Sequence, residues 1–106
     1  MAKYLVMASY NAQGAAGLLK DGGTKRRQAA ETAVQSIGGK VEAFYFAFGD
    51  HDAYVIVDAP DNVSMAAASV AINASGAVSA KTVAPLTPAE LDQAVKKTAT
   101  YQPPGR

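Results

Sequence analysis

His51 is the only histidine in this chain of 106 residues, and it stands between Asp50 and Asp52. Histidine is the side chain best suited to move a proton near neutrality. Flanked by carboxylates, which favour its cationic form, it has the makings of a general base or a polarising group. At the tip of a hairpin the same residue is only a polar turn residue, and the residues alone favour that plainer role. Asp52 divides the same way. It serves as a catalytic acid if buried or paired with a second acid, or as an acceptor for turn amides at the start of a strand; the second is favoured. Gly49 supplies the backbone freedom of the turn. Tyr10, Tyr45 and Tyr54 carry an apolar ring with a polar tip, which suits either the wall of a ligand pocket or a core or interface position. Ser9 and Asn11 bring hydrogen-bonding groups to the end of the first apolar run, although Asn11 is equally a helix N-cap. A ligand pocket, if there is one, is expected where Ser9, Tyr10 and Asn11 meet Tyr45, with His51 and Asp52 near its mouth.

Much other chemistry is excluded. There is no cysteine, so disulfides and thiolate catalysis fall away. One histidine with two adjacent aspartates lacks the second ligand pair of a metal site. Gly14 and Gly17 match neither the dinucleotide nor the P-loop spacing, and no nucleophile can be matched to His51 in a triad. No cofactor is therefore expected. Ten basic residues against nine acidic leave a net charge of +1, which argues against nucleic acid as a partner. The one basic cluster, Lys25-Arg26-Arg27, reads as the solvated first turn of a helix. The apolar run at the N-terminus is too short for a signal peptide, and no run approaches the ~18 apolar residues of a membrane span; the cytoplasm is the default location.

These residues need a scaffold to hold them. Lys3–Ser9 reads as a strand, rich in residues that suit one. From Asn11 to Ile37 the pattern is helical but interrupted at Asp21-Gly22-Gly23, with Thr24 as a cap for the second piece, Ala30, Ala33, Val34 and Ile37 on its apolar face, and Gly38-Gly39 ending it. Residues 40–48 form a second strand, with Val41, Ala43, Tyr45 and Ala47 alternating against Glu42, Phe44, Phe46 and Phe48. After a turn at Gly49-Asp50-His51, residues 52–58 form a third. Both faces of this hairpin are apolar through the middle, whereas a hairpin with one wet face alternates. Both sides should therefore be covered. Asp61 caps a second helix that runs to about Ser75 with Met65, Ala68, Ile72 and Ser75 on one stripe. Val78–Pro85 is the fourth strand. Thr87-Pro88-Ala89-Glu90 is a capping-box start to a third helix. Residues 1–96 make one domain, and 97–106 a tail whose Tyr101-Gln102-Pro103-Pro104-Gly105-Arg106 end cannot be helical.

The order β-α-β-β-α-β is that of an α+β, ferredoxin-like domain, here with a C-terminal helix. A four-stranded antiparallel sheet with order 4-1-3-2 and two helices on one face is expected. Twenty-three alanines against three phenylalanines, three isoleucines and no tryptophan promise a thin core. A second copy covering the bare sheet face would remedy it, and a homo-oligomer follows.

The stretch from Phe44 to Asp61, with its aromatic strand, Gly49-x-x-Asp52 turn, apolar strand and Pro60-Asp61, stands between Gly38-Gly39-Lys40 and Leu86-Thr87-Pro88-Ala89-Glu90-Leu91. Over residues 3–92 it resembles the Gly-Tyr-Asp (GYD) domain family. Gly49 and Asp52 match the namesake motif, while His51 stands where its tyrosine would be. The resemblance implies the dimeric α/β-barrel fold shared with small oligomeric monooxygenases, isomerases and stress-response proteins; in the cofactor-free monooxygenases of that fold, polar groups near Ser9 and Asn11 meet the substrate. Two functions stay open. One is a non-catalytic oligomer that binds a small molecule or a protein partner, favoured by the lack of clustered chemistry. The other is a cofactor-independent oxygenase or isomerase for a small apolar or aromatic substrate.

Overall fold

The computed structural model describes residues 1–105. Its elements are β1 (Ala2–Tyr10), α1 (Ala12–Ser36), β2 (Lys40–Phe46), β3 (Ala53–Ala59), α2 (Asn62–Ala74), β4 (Val78–Val83) and α3 (Pro88–Val95). The strands form one antiparallel sheet in the order β2-β3-β1-β4, which is 4-1-3-2 from the opposite edge. Strand β1 sits near the middle, and its alternation decides the two faces. Tyr4, Val6 and Ala8 are buried on the face that takes the helices, opposite Val57, Val55 and Ala53 of β3 in turn. Leu5, Met7 and Ser9 point the other way.

Helices α1 and α2 lie on the buried face. Val34 of α1 and Met65 of α2 reach into one cluster with Tyr4, Val6, Val41, Val55, Val57 and Ala59. The helix ends follow local chemistry. Asp61 accepts the Ser64 amide at 2.8 Å, a bond that holds its carboxyl below the usual aspartate range. Thr87 and Glu90 complete a reciprocal capping box. The break expected in α1 is real: Gly22 has φ 80° and ψ 175°, a conformation that glycine alone adopts freely. At the other end, Gly39 makes the turn into β2 so closely that an added Cβ would lie 2.6 Å from the Asp58 carbonyl oxygen and 2.9 Å from Val34 Cγ1. Backbone cannot yield as a side-chain tip can. Gly39→Ala is therefore expected to destabilise the protein by about 1–3 kcal/mol, the usual range for overpacking, read as a lower urea midpoint with an unchanged slope.

Two expectations about the hairpin need correction. Simple alternation put Val41 with Ala43 and Tyr45, but a β-bulge between Val41 and Ala43 resets the phase. Val41 pairs with Val57 on the helix face, while Ala43 pairs with Ile56 and Tyr45 with Tyr54 on the open one. The extra residue of a bulge sends the side chains beyond it to the other face. Strand β2 also stops at Phe46, two residues early. The loop is closed by the Ala47 amide on the Asp52 carbonyl at 2.9 Å, which leaves Phe48 fully exposed at the tip.

The open face carries Leu5 and Met7 of β1, Tyr54 and Ile56 of β3, Ala43 and Tyr45 of β2 and Lys81 and Val83 of β4. Among the described residues no helix covers it, and Tyr45 is 67% exposed. At one end Lys3 bridges Glu42 at 2.5 Å and Asp58 at 3.1 Å; the bond it donates to Glu42, then that to Asp58, raises its pKa. Beyond β4 the chain leaves the body. Every residue of α3 is exposed, and Leu86, Leu91 and Val95 have no cover. The arm explains a radius of gyration of 16.7 Å, against about 13 Å for a compact chain of this length. Among the described residues, no helix is long and apolar enough to cross a membrane.

Candidate functional site

The helix-covered face is packed unevenly along its length. Toward Tyr4 and Val57 it is filled by valines, Tyr4 and Met65. Toward Tyr10 and Ala53 the side chains shrink: Ala8, Ala53 and Ala80 on the sheet lie under Ala29, Ala30 and Ala33 of α1. Methyl groups on both sides cannot span the gap between a sheet and its helices. The result is a cavity of about 210 Å³, walled further by Val6, Phe44, Val55, Ile72 and Val78. Six of the 23 alanines thus line this one space.

Three polar side chains reach that space: Tyr10, Arg26 and Ser75. Arg26 stands seven residues before Ala33 and four before Ala30, so it continues their stripe of the helix. Its guanidinium carbon is 5.9 Å from the centre of the Tyr10 ring, within cation–π range. Its Nε–H is closed off from solvent and has no acceptor among the described residues. The expected solvated basic turn is corrected here. Lys25 and Arg27 are exposed, and Arg27 lies 3.5 Å from Glu31, but Arg26 turns inward. The available signal was its spacing to Ala30 and Ala33, which the charge of the cluster obscured.

The six residues singled out from the sequence gather at one end of the sheet, yet not on one side of it. Tyr10 faces the cavity. Asp52 positions it: the carboxylate accepts the Tyr10 amide at 2.8 Å, while the Asp52 amide donates to the Ala8 carbonyl at 2.8 Å. Asp52 thus ties the hairpin loop to the end of β1 through two bonds. Asn11 caps α1 by accepting the Gly14 amide at 2.9 Å. Its own amides reach across to the α2–β4 turn, the backbone one to the Ala77 carbonyl at 3.2 Å and the side-chain one to the Gly76 carbonyl.

Ser9, His51 and Tyr45 lie on the open face. Ser9 Oγ is 3.3 Å from His51 Nδ1 and 3.5 Å from the Asp50 carbonyl oxygen. The imidazole meets the Tyr54 ring edge-on at 5.9 Å, and Tyr45 is the cross-strand partner of Tyr54. A serine beside a histidine invites comparison with a nucleophile and its base. However, the Asp52 carboxylate accepts the Tyr10 amide, and among the described residues no carboxylate is seen bonded to the imidazole as the third member of a triad would be. Among the described residues, no three His, Cys, Asp or Glu side chains cluster as metal ligands would.

Taken together, these features define a small α/β protein with a four-stranded antiparallel sheet, one face roofed by helices over an alanine-lined cavity and the other left open. A family model of the GYD domain matches residues 4–95, and the chain belongs to the GYD domain family. No curated protein and no solved structure matches it.

Proposed function

We propose that this GYD domain is a non-catalytic binding protein that holds a small, largely apolar molecule in the cavity between α1, α2 and the sheet. We propose further that it works as a homodimer of ferredoxin-like subunits whose open sheet faces meet, in the manner of a dimeric α/β barrel. The observation that carries the binding reading is the cavity. Its volume of about 210 Å³ exceeds the roughly 150 Å³ that suffices to hold benzene in an apolar protein interior. Its walls are dominated by methyl and ring carbons, with a few polar groups at one end, as in small-molecule sites generally. The chemistry of those groups favours binding over catalysis. Tyr10, Arg26 and Ser75 are the polar side chains of the lining, and the histidine is on the other side of the sheet.

Toluene is a suitable neutral probe. With alanine methyls labelled for NMR, millimolar toluene is expected to shift Ala30, Ala33, Ala53 and Ala80 and to leave Ala43 on the open face unmoved. Shifts confined to the open face, or none at all, would rule out the cavity as a binding site. Turnover of an aromatic substrate in air without added cofactor, abolished by His51→Ala, would favour an oxygenase instead.

A further inference from the structure

We infer that the molecule held in the cavity carries a carboxylate, which docks on Arg26 while its apolar part lies among the alanines. This deepens the binding reading above and rests on it. The argument begins with the cost of the arginine where it is. A buried donor with no acceptor forfeits about 1–3 kcal/mol, and more when the group is charged. Arg26 as a whole is half-buried, so the cost falls on the one donor that is closed off. Here the Nε–H is shielded from water and unaccepted among the described residues.

The surroundings offer no remedy. Arg26 makes no ion pair among the described residues, and Glu31, the nearest acid along the helix after it, lies on another face against Arg27. The Asp52 carboxylate, at the same end of the sheet, is engaged by the Tyr10 amide. The Tyr10 ring attracts the positive charge from 5.9 Å but gives the N–H no in-plane lone pair. The guanidinium that lines the cavity lacks an anionic acceptor, and one entering there would meet the Nε–H as the side chain turns toward it.

The donor geometry selects among anions. Nε–H and one terminal N–H of a guanidinium form a planar fork that matches the two oxygens of a carboxylate. A phosphate dianion would need more donors than one arginine, and the remaining wall of the cavity is nearly all carbon. The space holds about one ring, so the fitting class is a small aryl or branched alkyl monocarboxylic acid.

Benzoate against toluene on the full-length protein tests this, with affinities from NMR titration of the alanine methyls and of the Arg26 Nε–H. Benzoate is expected to bind about tenfold or more tightly than toluene, the scale of a charged hydrogen bond, and to shift the Nε–H resonance. Arg26→Met should bring the benzoate and toluene affinities together; Arg26→Lys, which keeps the charge but loses the fork, should retain only part of the difference. Equal affinity for the two probes in the wild type would overturn the carboxylate assignment while sparing the cavity. So would an advantage that survives Arg26→Met. If neither probe binds, the binding reading itself fails and the assignment goes with it. Should Arg26→Met not fold, the Nε–H response of the wild type decides alone: an unmoved resonance at saturating benzoate overturns the proposal.

Discussion

Replacing Ile56 with lysine is expected to halve the mass of the protein in solution. Ile56 sits at the centre of the open sheet face, opposite Leu5 of β1 and Ala43 of β2. Around it lie Met7, Tyr54, Tyr45 and Val83, an apolar centre with Lys81 beside Met7 on the edge strand β4 and the Lys3 ion pairs at one end. Two such faces brought together would bury a continuous apolar layer in each subunit, and area removed from water contributes about 25 cal/mol per Å². A lysine at Ile56 would place an unpaired ammonium in that layer, where desolvation is not compensated. Light scattering on the wild type at micromolar concentration should therefore give twice the 10.9 kDa of one chain, and Ile56→Lys should give 10.9 kDa. The wild-type melting temperature should also rise with protein concentration, as it does when folding and association are linked, and the variant's should not. A wild type that is already monomeric contradicts the dimer outright. The effect on stability should be large as well, because each subunit's own core contains few large side chains; among the described residues Tyr4 and Met65 are the biggest that are buried.

Which parts of this molecule were legible in the sequence depends on how far each signal reaches along the chain. Capping is a matter of three residues, and Asn11, Asp61 and Thr87 cap as local rules indicate. The kink at Gly22 is also local. The bulge at Val41–Ala43 was hidden because the hairpin is apolar on both faces, so a one-residue change of phase leaves no mark in the pattern. Asp52 shows the limit from the other side. Its place at a strand start was readable, but its acceptor role for Tyr10 depends on the β1–β3 register, which brings together residues 42 positions apart. The cavity is harder still. It is lined by side chains from both long helices and all four strands, and no window of sequence contains it. Arg26 was readable in principle from its spacing to Ala30 and Ala33. The competing signal, three consecutive basic residues, is usually a solvated face, and for Lys25 and Arg27 it is one.

The same cavity makes a prediction in which stability and binding move in opposite directions. Ala30 is half-buried on α1 and lines the space. Ala30→Leu would extend three carbons into it. Leucine is nearly as good a helix former as alanine, so the backbone has no reason to object. Filling apolar space stabilises by about 0.8 kcal/mol per buried methylene, so the ligand-free protein is expected to gain roughly 1–2 kcal/mol in urea denaturation. Overpacking would normally reverse that sign, but here the volume is already present. Toluene and benzoate binding should both be lost, because the added side chain occupies the space either ring would need. Ala67→Leu, on an exposed position of α2, serves as the control and should change neither quantity appreciably. A destabilised Ala30→Leu protein would mean that α1 already sits tightly on the sheet. A stabilised one that still binds both probes would place their site elsewhere. The gain in stability with loss of binding is the outcome that requires an empty, functional space, because a core packed only for stability would not have left alanine at this position.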